Sequence, residues 1–279
     1  MQKYFELNPN LVKLANERNI PYYIPFDNQF DHYKNNKIRI NDDLLLINKE
    51  IDIILNYLKE GNKDMDILEF GTCWGWSLKN ISNLLIEENI NINNLIGFDS
   101  LIGFPEEKKY TLNPSYWPKG GCSATNFFQN QLIDGNLSKN KYIEILNLPK
   151  VNNYNFDIIE GFYSESLKDD IIQKYNIKPP ILINIDCDIY SSTLEVLDFI
   201  FRNKLYIKGK TMLRYDDWGC YYETSKSYEE EFKLGEARAH KEMCEKYKIN
   251  CKKLGTFPDI NCKYGGEGPW IEEVWFLIL

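Results

Sequence analysis

Apolar and polar positions change texture at about residue 65. Before that point, Leu44, Leu45, Ile47, Ile51, Ile54, Leu55 and Leu58 recur at helical spacing after a tyrosine-rich, irregular start. After it, short apolar runs alternate with helical stretches. MDILEF (Met65 to Phe70) predicts a strand, followed by a glycine turn and a helix from about Trp76 to Ile86. NLIGFD (94–99), NFDIIEG (155–161), PILINID (180–186) and KTMLRYDD (210–217) predict four more strands. Helices are expected through Ile172, from Thr193 to Phe201, and over a charged stretch from about Ser227 to Lys248. Lys252 to Phe257 and the terminal EEVWFLIL predict a closing hairpin. Strands alternating with helices at this length predict an α/β fold, a doubly wound, mostly parallel sheet covered on both faces. Ligands of such sheets bind outside the carboxyl ends of the strands.

That rule singles out the acids. Glu69, Asp99, Asp186, Asp188, Asp216 and Asp217 all fall at or just past predicted strand ends. A helix N-cap also favours aspartate after a strand, but the set together exceeds what capping requires. In "ILINIDCDIYSST" strand alternation puts Asp186 and Asp188 on one face, where their charges repel unless a cation, a bound hydroxyl or solvent stands between them. Cys187, on the other face, reads as core.

"LEFGTCWGWS" (68–77) carries Gly71 for a sharp turn and Gly75 at a helix mouth, where a ligand can approach backbone N–H groups. The spacing is G-x-x-x-G and lacks the pyrophosphate glycine of G-x-G-x-x-G, which argues against a nicotinamide dinucleotide. Asp99, ending the second strand, can accept the hydroxyls of a ribose. Turn and acid together predict a nucleoside-containing cofactor, and the missing glycine points to S-adenosylmethionine.

Composition narrows the partners. The 279 residues carry 41 acids and 33 bases, a net charge of −8, which disfavours nucleic acid and anionic membranes. No apolar run reaches the roughly 20 residues of a membrane span, and MQKYFELNPN lacks the design of a signal peptide. Seven scattered cysteines without CxxC pairing suit reduced thiols, and so a cytoplasmic location. Only His32 and His240 are present, so a His-rich zinc site is unsupported; His240, on a charged helix, is expected to be solvated.

"ILEFGTCWGWS", "IGFDSLIGFPE", "IIEGFYSESL", "INIDCDIYSST" and "RYDDW", in this order from about Met65 to Trp218, resemble the macrocin O-methyltransferase family. These are class I methyltransferases that act on sugars of natural products. The resemblance implies a Rossmann-like seven-stranded sheet over 61–279 with an N-terminal helical extension over 1–60. It implies cofactor contacts at Glu69, Gly71, Thr72, Gly75, Ser77, Ser100 and Asp186, a ribose contact at Asp99, and adenine packing near Phe162. Related enzymes bind magnesium through three strand-end carboxylates, which by position match Asp188, Asp216 and Asp217. Arg214 and Tyr215 stand where such enzymes carry small or aliphatic residues, and Trp218 replaces a tyrosine. Ser191 and Ser192 occupy the place where some relatives carry a histidine, so a histidine base there is excluded.

The expected activity is therefore metal-dependent O-methylation of a sugar, glycan or glycosylated small molecule, with Asp188 at the metal and as proton acceptor. A hard cation such as magnesium lowers the pKa of a sugar hydroxyl and fixes its direction. Three alternatives stand beside it: a glycosyltransferase using the D-x-D at 186–188, a catechol-type O-methyltransferase, and a catalytically silent nucleoside-binding module. The long stretch 105–150, with Tyr110, Tyr116, Trp117, Gly120, Gly121, Phe127 and Phe128, reads either as a lid over the acceptor or as a surface-packed insertion. Tyr215, Trp218, Tyr221 and Tyr222 read either as a platform for a sugar face or as an ordinary aromatic cluster. The N-terminal region is expected to cap the site or to join copies of the chain in a homo-oligomer.

Overall fold

A computed structural model describes residues 64–87, 89–107, 109–110, 117–132, 134–149, 153–218, 232–259 and 270–279. The N-terminal extension, Tyr116, Tyr221 and Tyr222 lie outside the described residues, as does Ser227 at the expected start of the charged helix.

Seven strands form one sheet: β1 (Asp66–Phe70), β2 (Asn94–Asp99), β3 (Asn155–Glu160), β4 (Pro180–Ile185), β5 (Met212–Tyr215), β6 (Cys251–Asp259) and β7 (Trp270–Ile278). Their order is β3-β2-β1-β4-β5-β7-β6. The first five are parallel; β7 runs antiparallel to both β5 and β6. The four longer helices are α1 (Trp76–Glu87), α2 (Lys139–Leu146), α3 (Tyr190–Arg202) and α4 (Gly235–Tyr247). The expected helix through Ile172 is present as two short helices, Tyr163–Ser166 and Asp170–Lys174.

β1, β2 and β4 are buried along their whole length, which is why DILEF, NLIGFD and PILINI read as nearly continuous apolar runs. Period two then splits their side chains between two layers. Leu68, Phe70, Phe98, Ile183, Ile185 and Tyr215 pack beneath Val196, Leu197 and Ile200 of α3 and Ala237, Ala239 and Met243 of α4. Phe70 and Phe98 stack with ring centroids 4.4 Å apart in that layer. Ile67, Leu95, Leu182 and Met212 face Leu78 and Ile81 of α1 and Tyr142 and Leu146 of α2. Much of the 105–150 stretch belongs to this second layer, since Ala124, Phe128, Leu137, Tyr142 and Leu146 are buried in it. Among the described residues no helix is long and apolar enough to cross a membrane.

The strand order reverses between β1 and β4, and the two chains leave the sheet there in contact. Asp186 N–H donates to the Phe70 carbonyl at 2.8 Å, and Gly71 N–H to the Phe98 carbonyl at 2.9 Å. Gly71 has φ +89°, and a Cβ added to it would lie 1.7 Å from the Asp186 carbonyl oxygen. No side chain fits. Gly71→Ala is therefore expected to cost at least ~3 kcal/mol of stability through clash and left-handed strain. Gly135→Ala, at φ +75° with nothing within 4 Å of its Cβ, should cost only the left-handed penalty of roughly 1–2 kcal/mol; urea unfolding of both variants checks the difference.

Candidate active site at the switch point

The glycine turn leaves β1 at Gly71 and enters α1 at Trp76. Its conformation is held by Asp99 from the end of β2. Asp99 Oδ2 accepts the N–H groups of Thr72 at 2.7 Å and Cys73 at 2.8 Å, and Oδ1 accepts that of Leu101 at 2.6 Å. Burial nevertheless raises its pKa, because three N–H bonds only partly offset the desolvation. The carboxylate expected to hold a ribose thus already organises the turn. Tyr142 of α2 donates to Thr72 Oγ1 at 3.0 Å and to the Cys73 carbonyl at 3.0 Å. The space beside Gly75 is filled: a Cβ there would meet Leu146 Cδ2 at 2.1 Å and the Tyr142 hydroxyl at 2.9 Å. Lacking a Cβ, the turn at Gly75 packs closely on α2.

Glu69 lies on the α1 side of β1, fully buried. Ser77 Oγ donates to its Oε1 at 2.5 Å, while Oε2 has no hydrogen-bond partner among the described residues. Register aligns Glu69 with Asn184 on β4 and Asn184 with Arg214 on β5. Arg214 donates from Nη1 to Asn184 Oδ1 at 2.7 Å and from Nη2 to Asp216 Oδ1 at 2.5 Å. A polar row therefore crosses the sheet under the strand ends. Ser100 donates to the Gly103 carbonyl at 2.8 Å, and Phe162 is half-buried just beyond β3.

Beyond β4 the carboxylates of Asp186, Asp188 and Asp217 converge, one oxygen of each lying within 4.8 Å of the others. β4 ends at Ile185, so strand alternation does not cause the pairing of Asp186 with Asp188. Asp188 instead has φ +60°, a left-handed conformation that aspartate tolerates better than most residues. Asp216, expected among the metal ligands, is drawn aside by Arg214, and Asp186 takes the third place in the cluster. Asp186 is pushed well above the usual carboxylate range by burial first, then by Asp216 and Asp217. Asp188 is pushed the same way by burial, then by Asp217 and Asp186. Hard oxygen donors crowded until they resist ionisation fit a hard divalent cation.

Further contacts reach these elements, one from Trp117 of the 105–150 stretch and the others from residues with no role at the site assigned from the sequence. Trp117 Nε1–H donates to Asp188 Oδ1 at 2.5 Å. Glu107 accepts the Ser191 N–H at 2.8 Å, anchoring the same insertion at the start of α3. Glu236 of α4 is fully buried, accepts the Cys187 N–H at 3.2 Å, and is raised by burial and then by Asp217. Cys73 donates from Sγ to the Cys122 carbonyl at 3.2 Å. None of these four contacts follows a spacing that periodicity could reveal. Cys187 is buried core as expected. Tyr215 and Trp218 are buried too, packed with Phe276 and His240, so they form a core cluster and offer no open sugar platform. His240 is 5% exposed, contrary to the expectation of a solvated residue. Its helix buries one polar stripe of Glu236 and His240 along with the apolar positions.

This sheet order, with a β6–β7 antiparallel edge and a glycine turn leaving β1, is the Rossmann-like fold of class I methyltransferases. The O-methyltransferase NovP superposes with a TM-score of 0.51 at 14% identity, over 82% of this chain and 78% of NovP. CalS11, a calicheamicin methyltransferase, superposes with a TM-score of 0.50 at 14% identity, over 99% of this chain and 97% of CalS11. No family model and no curated protein sequence matches the chain.

The buried glutamate gives a pH signature. Burial, partly offset by Ser77, raises Glu69 from 4.5 to about 7. Between those values the folded chain keeps a proton that the unfolded chain has released, so this group lowers stability as pH rises through that window. Glu69→Gln should remove the slope, a difference growing to at most ~3 kcal/mol by pH 7, read from urea midpoints of both proteins across pH 4.5–8.

Proposed function

We propose that this chain is an S-adenosylmethionine-dependent, divalent-metal-dependent O-methyltransferase acting on a hydroxyl of a sugar or of a glycosylated small molecule. The observation that carries the reading is the meeting of two features at one switch point: the Asp99-braced glycine turn, and the acid cluster of Asp186, Asp188 and Asp217. The shared fold with NovP and CalS11 supports the reaction class, and the five sequence blocks support the sugar acceptor.

Glu69, Gly71, Thr72, Gly75, Ser77, Asp99, Ser100 and Phe162 form the donor side of this site, with Asp186 at its border. Asp188 and Asp217 would hold the cation, with Asp186 or Asp216 as the third acid. Bound there, S-adenosylmethionine supplies an electrophilic methyl group and magnesium makes the acceptor hydroxyl more acidic and fixes its direction. Asp188 is assigned as acceptor of the hydroxyl proton, since it lies in the acid cluster and no histidine stands at Ser191 or Ser192. The insertion carrying Glu107 and Trp117 lies against Asp188 and α3 and acts as the wall or lid of the acceptor side. A net charge of −8 suits a small neutral acceptor better than a nucleic acid.

Methyl transfer assayed over deoxysugars, nucleotide-linked sugars and glycosides, with and without EDTA, tests the reading. Asp188→Asn and Asp217→Asn should each lower kcat at least ~100-fold while calorimetry shows donor binding changed less than about threefold. Asp216→Asn against Asp186→Asn identifies the third ligand. Equal loss of donor binding and turnover in a folded Asp188→Asn protein would sink the division of labour. Binding of a UDP-sugar in place of the methyl donor would transfer the case to the D-x-D glycosyltransferase reading.

A further inference from the structure

A second cluster of ligating side chains lies where α4 meets β6, and the reaction proposed above makes no use of it. His240 and Cys244 stand one turn apart on α4. The helix ends at Lys248 in the left-handed conformation, φ +55°, and Ile249 N–H returns to the Cys244 carbonyl at 2.9 Å. That reversal brings Cys251, the first residue of β6, back onto the helix. His240 Nε2 is 3.6 Å from Cys244 Sγ, Cys244 Sγ is 3.9 Å from Cys251 Sγ, and all three donor atoms lie within 4.8 Å of one another.

These separations discriminate between chemistries. A disulfide needs its sulfurs about 2.05 Å apart. A tetrahedral zinc-type ion, with Zn–S near 2.3 Å and Zn–N near 2.05 Å, sets two sulfurs about 3.8 Å apart and a nitrogen about 3.6 Å from each sulfur. The observed distances are close to the second pattern. We propose that His240, Cys244 and Cys251 form a binding site for one soft divalent cation of the zinc type, with water completing a fourth position at the half-buried sulfurs.

The surroundings supply what such a site needs. Tyr215 OH lies 2.8 Å from His240 Nδ1, a hydrogen bond that leaves Nε2 for the ion and fixes the ring, as the outer partners of metal-bound histidines do. Phe276 stacks on the imidazole with centroids 4.3 Å apart. The Lys253 charge opposes a cation, and two thiolates formed on binding outweigh it. Cys244 and Cys251 are only half-buried, which gives an ion access. The bound ion would tie the end of α4 to the edge strand β6, at a place where the sequence has only a short reversal to join them.

The full chain, stripped of metal with a chelator and kept reduced, is titrated with cobalt(II) alone. The expected result is one equivalent producing a sulfur-to-cobalt charge-transfer band with the intense visible absorption of a tetrahedral site, bleached by zinc. Cys244→Ser and Cys251→Ser should each abolish that band. Asp188→Asn should keep it, because an all-oxygen site gives no thiolate band; loss of methyl transfer with the band intact, or the converse, therefore separates this site from the one proposed above. Absence of the charge-transfer band overturns the proposal. So does a band that survives in Cys251→Ser, which would locate the cobalt on other thiols such as Cys73 and Cys122, or a Cys244–Cys251 disulfide in the metal-free chain as isolated.

Discussion

Everything at the mouth of this sheet depends on one close approach, the backbone of Gly71 against the carbonyl of Asp186. Two central strands that end side by side must send their chains apart, and whatever side chain stood at residue 71 would collide with the neighbouring exit. With hydrogen in its place, the Phe70 carbonyl and Asp186 N–H bond across the gap. The first turn beyond β1 is thereby locked to the first residues beyond β4. The glycine turn and the acid cluster are consequently parts of one junction, whose relative positions are set by main-chain geometry rather than by long side chains.

Charge is managed around that junction by burial and by aimed partners. Asp99 is spent on three N–H groups of the turn and its neighbour. Arg214 draws off Asp216 and closes the polar row begun at Glu69. Asp186 and Asp188, facing each other and Asp217, are both pushed well above the usual carboxylate range, by burial before charge. Acids this close and this buried favour their protonated forms, since a bound proton is what relieves the crowding of charge.

Much of this was legible in the sequence. The central strands announced themselves because burial on both faces demands uninterrupted apolar runs, and β1, β2 and β4 satisfy that demand. Gly71 was legible because a tight exit from a strand needs a residue without Cβ. The identity of the third acid was less so. Alternation was extended past Ile185 to Asp188, where the strand has ended and a left-handed residue governs direction instead. The pull of Arg214 on Asp216 crosses from β5 to β4 and has no local signature. His240 was misread because α4 has a mostly charged surface, and a helix that buries Glu236 and His240 among small residues loses the apolar stripe by which a core face is recognised.

Asp99 has a consequence for what can dock beside it. A carboxylate offers about four lone-pair directions; three are occupied by main-chain donors and the Thr72 side chain adds a fourth hydrogen bond. Its valence is filled from within the fold. Any guest that hydrogen-bonds at this corner must first displace one of the turn's own donors.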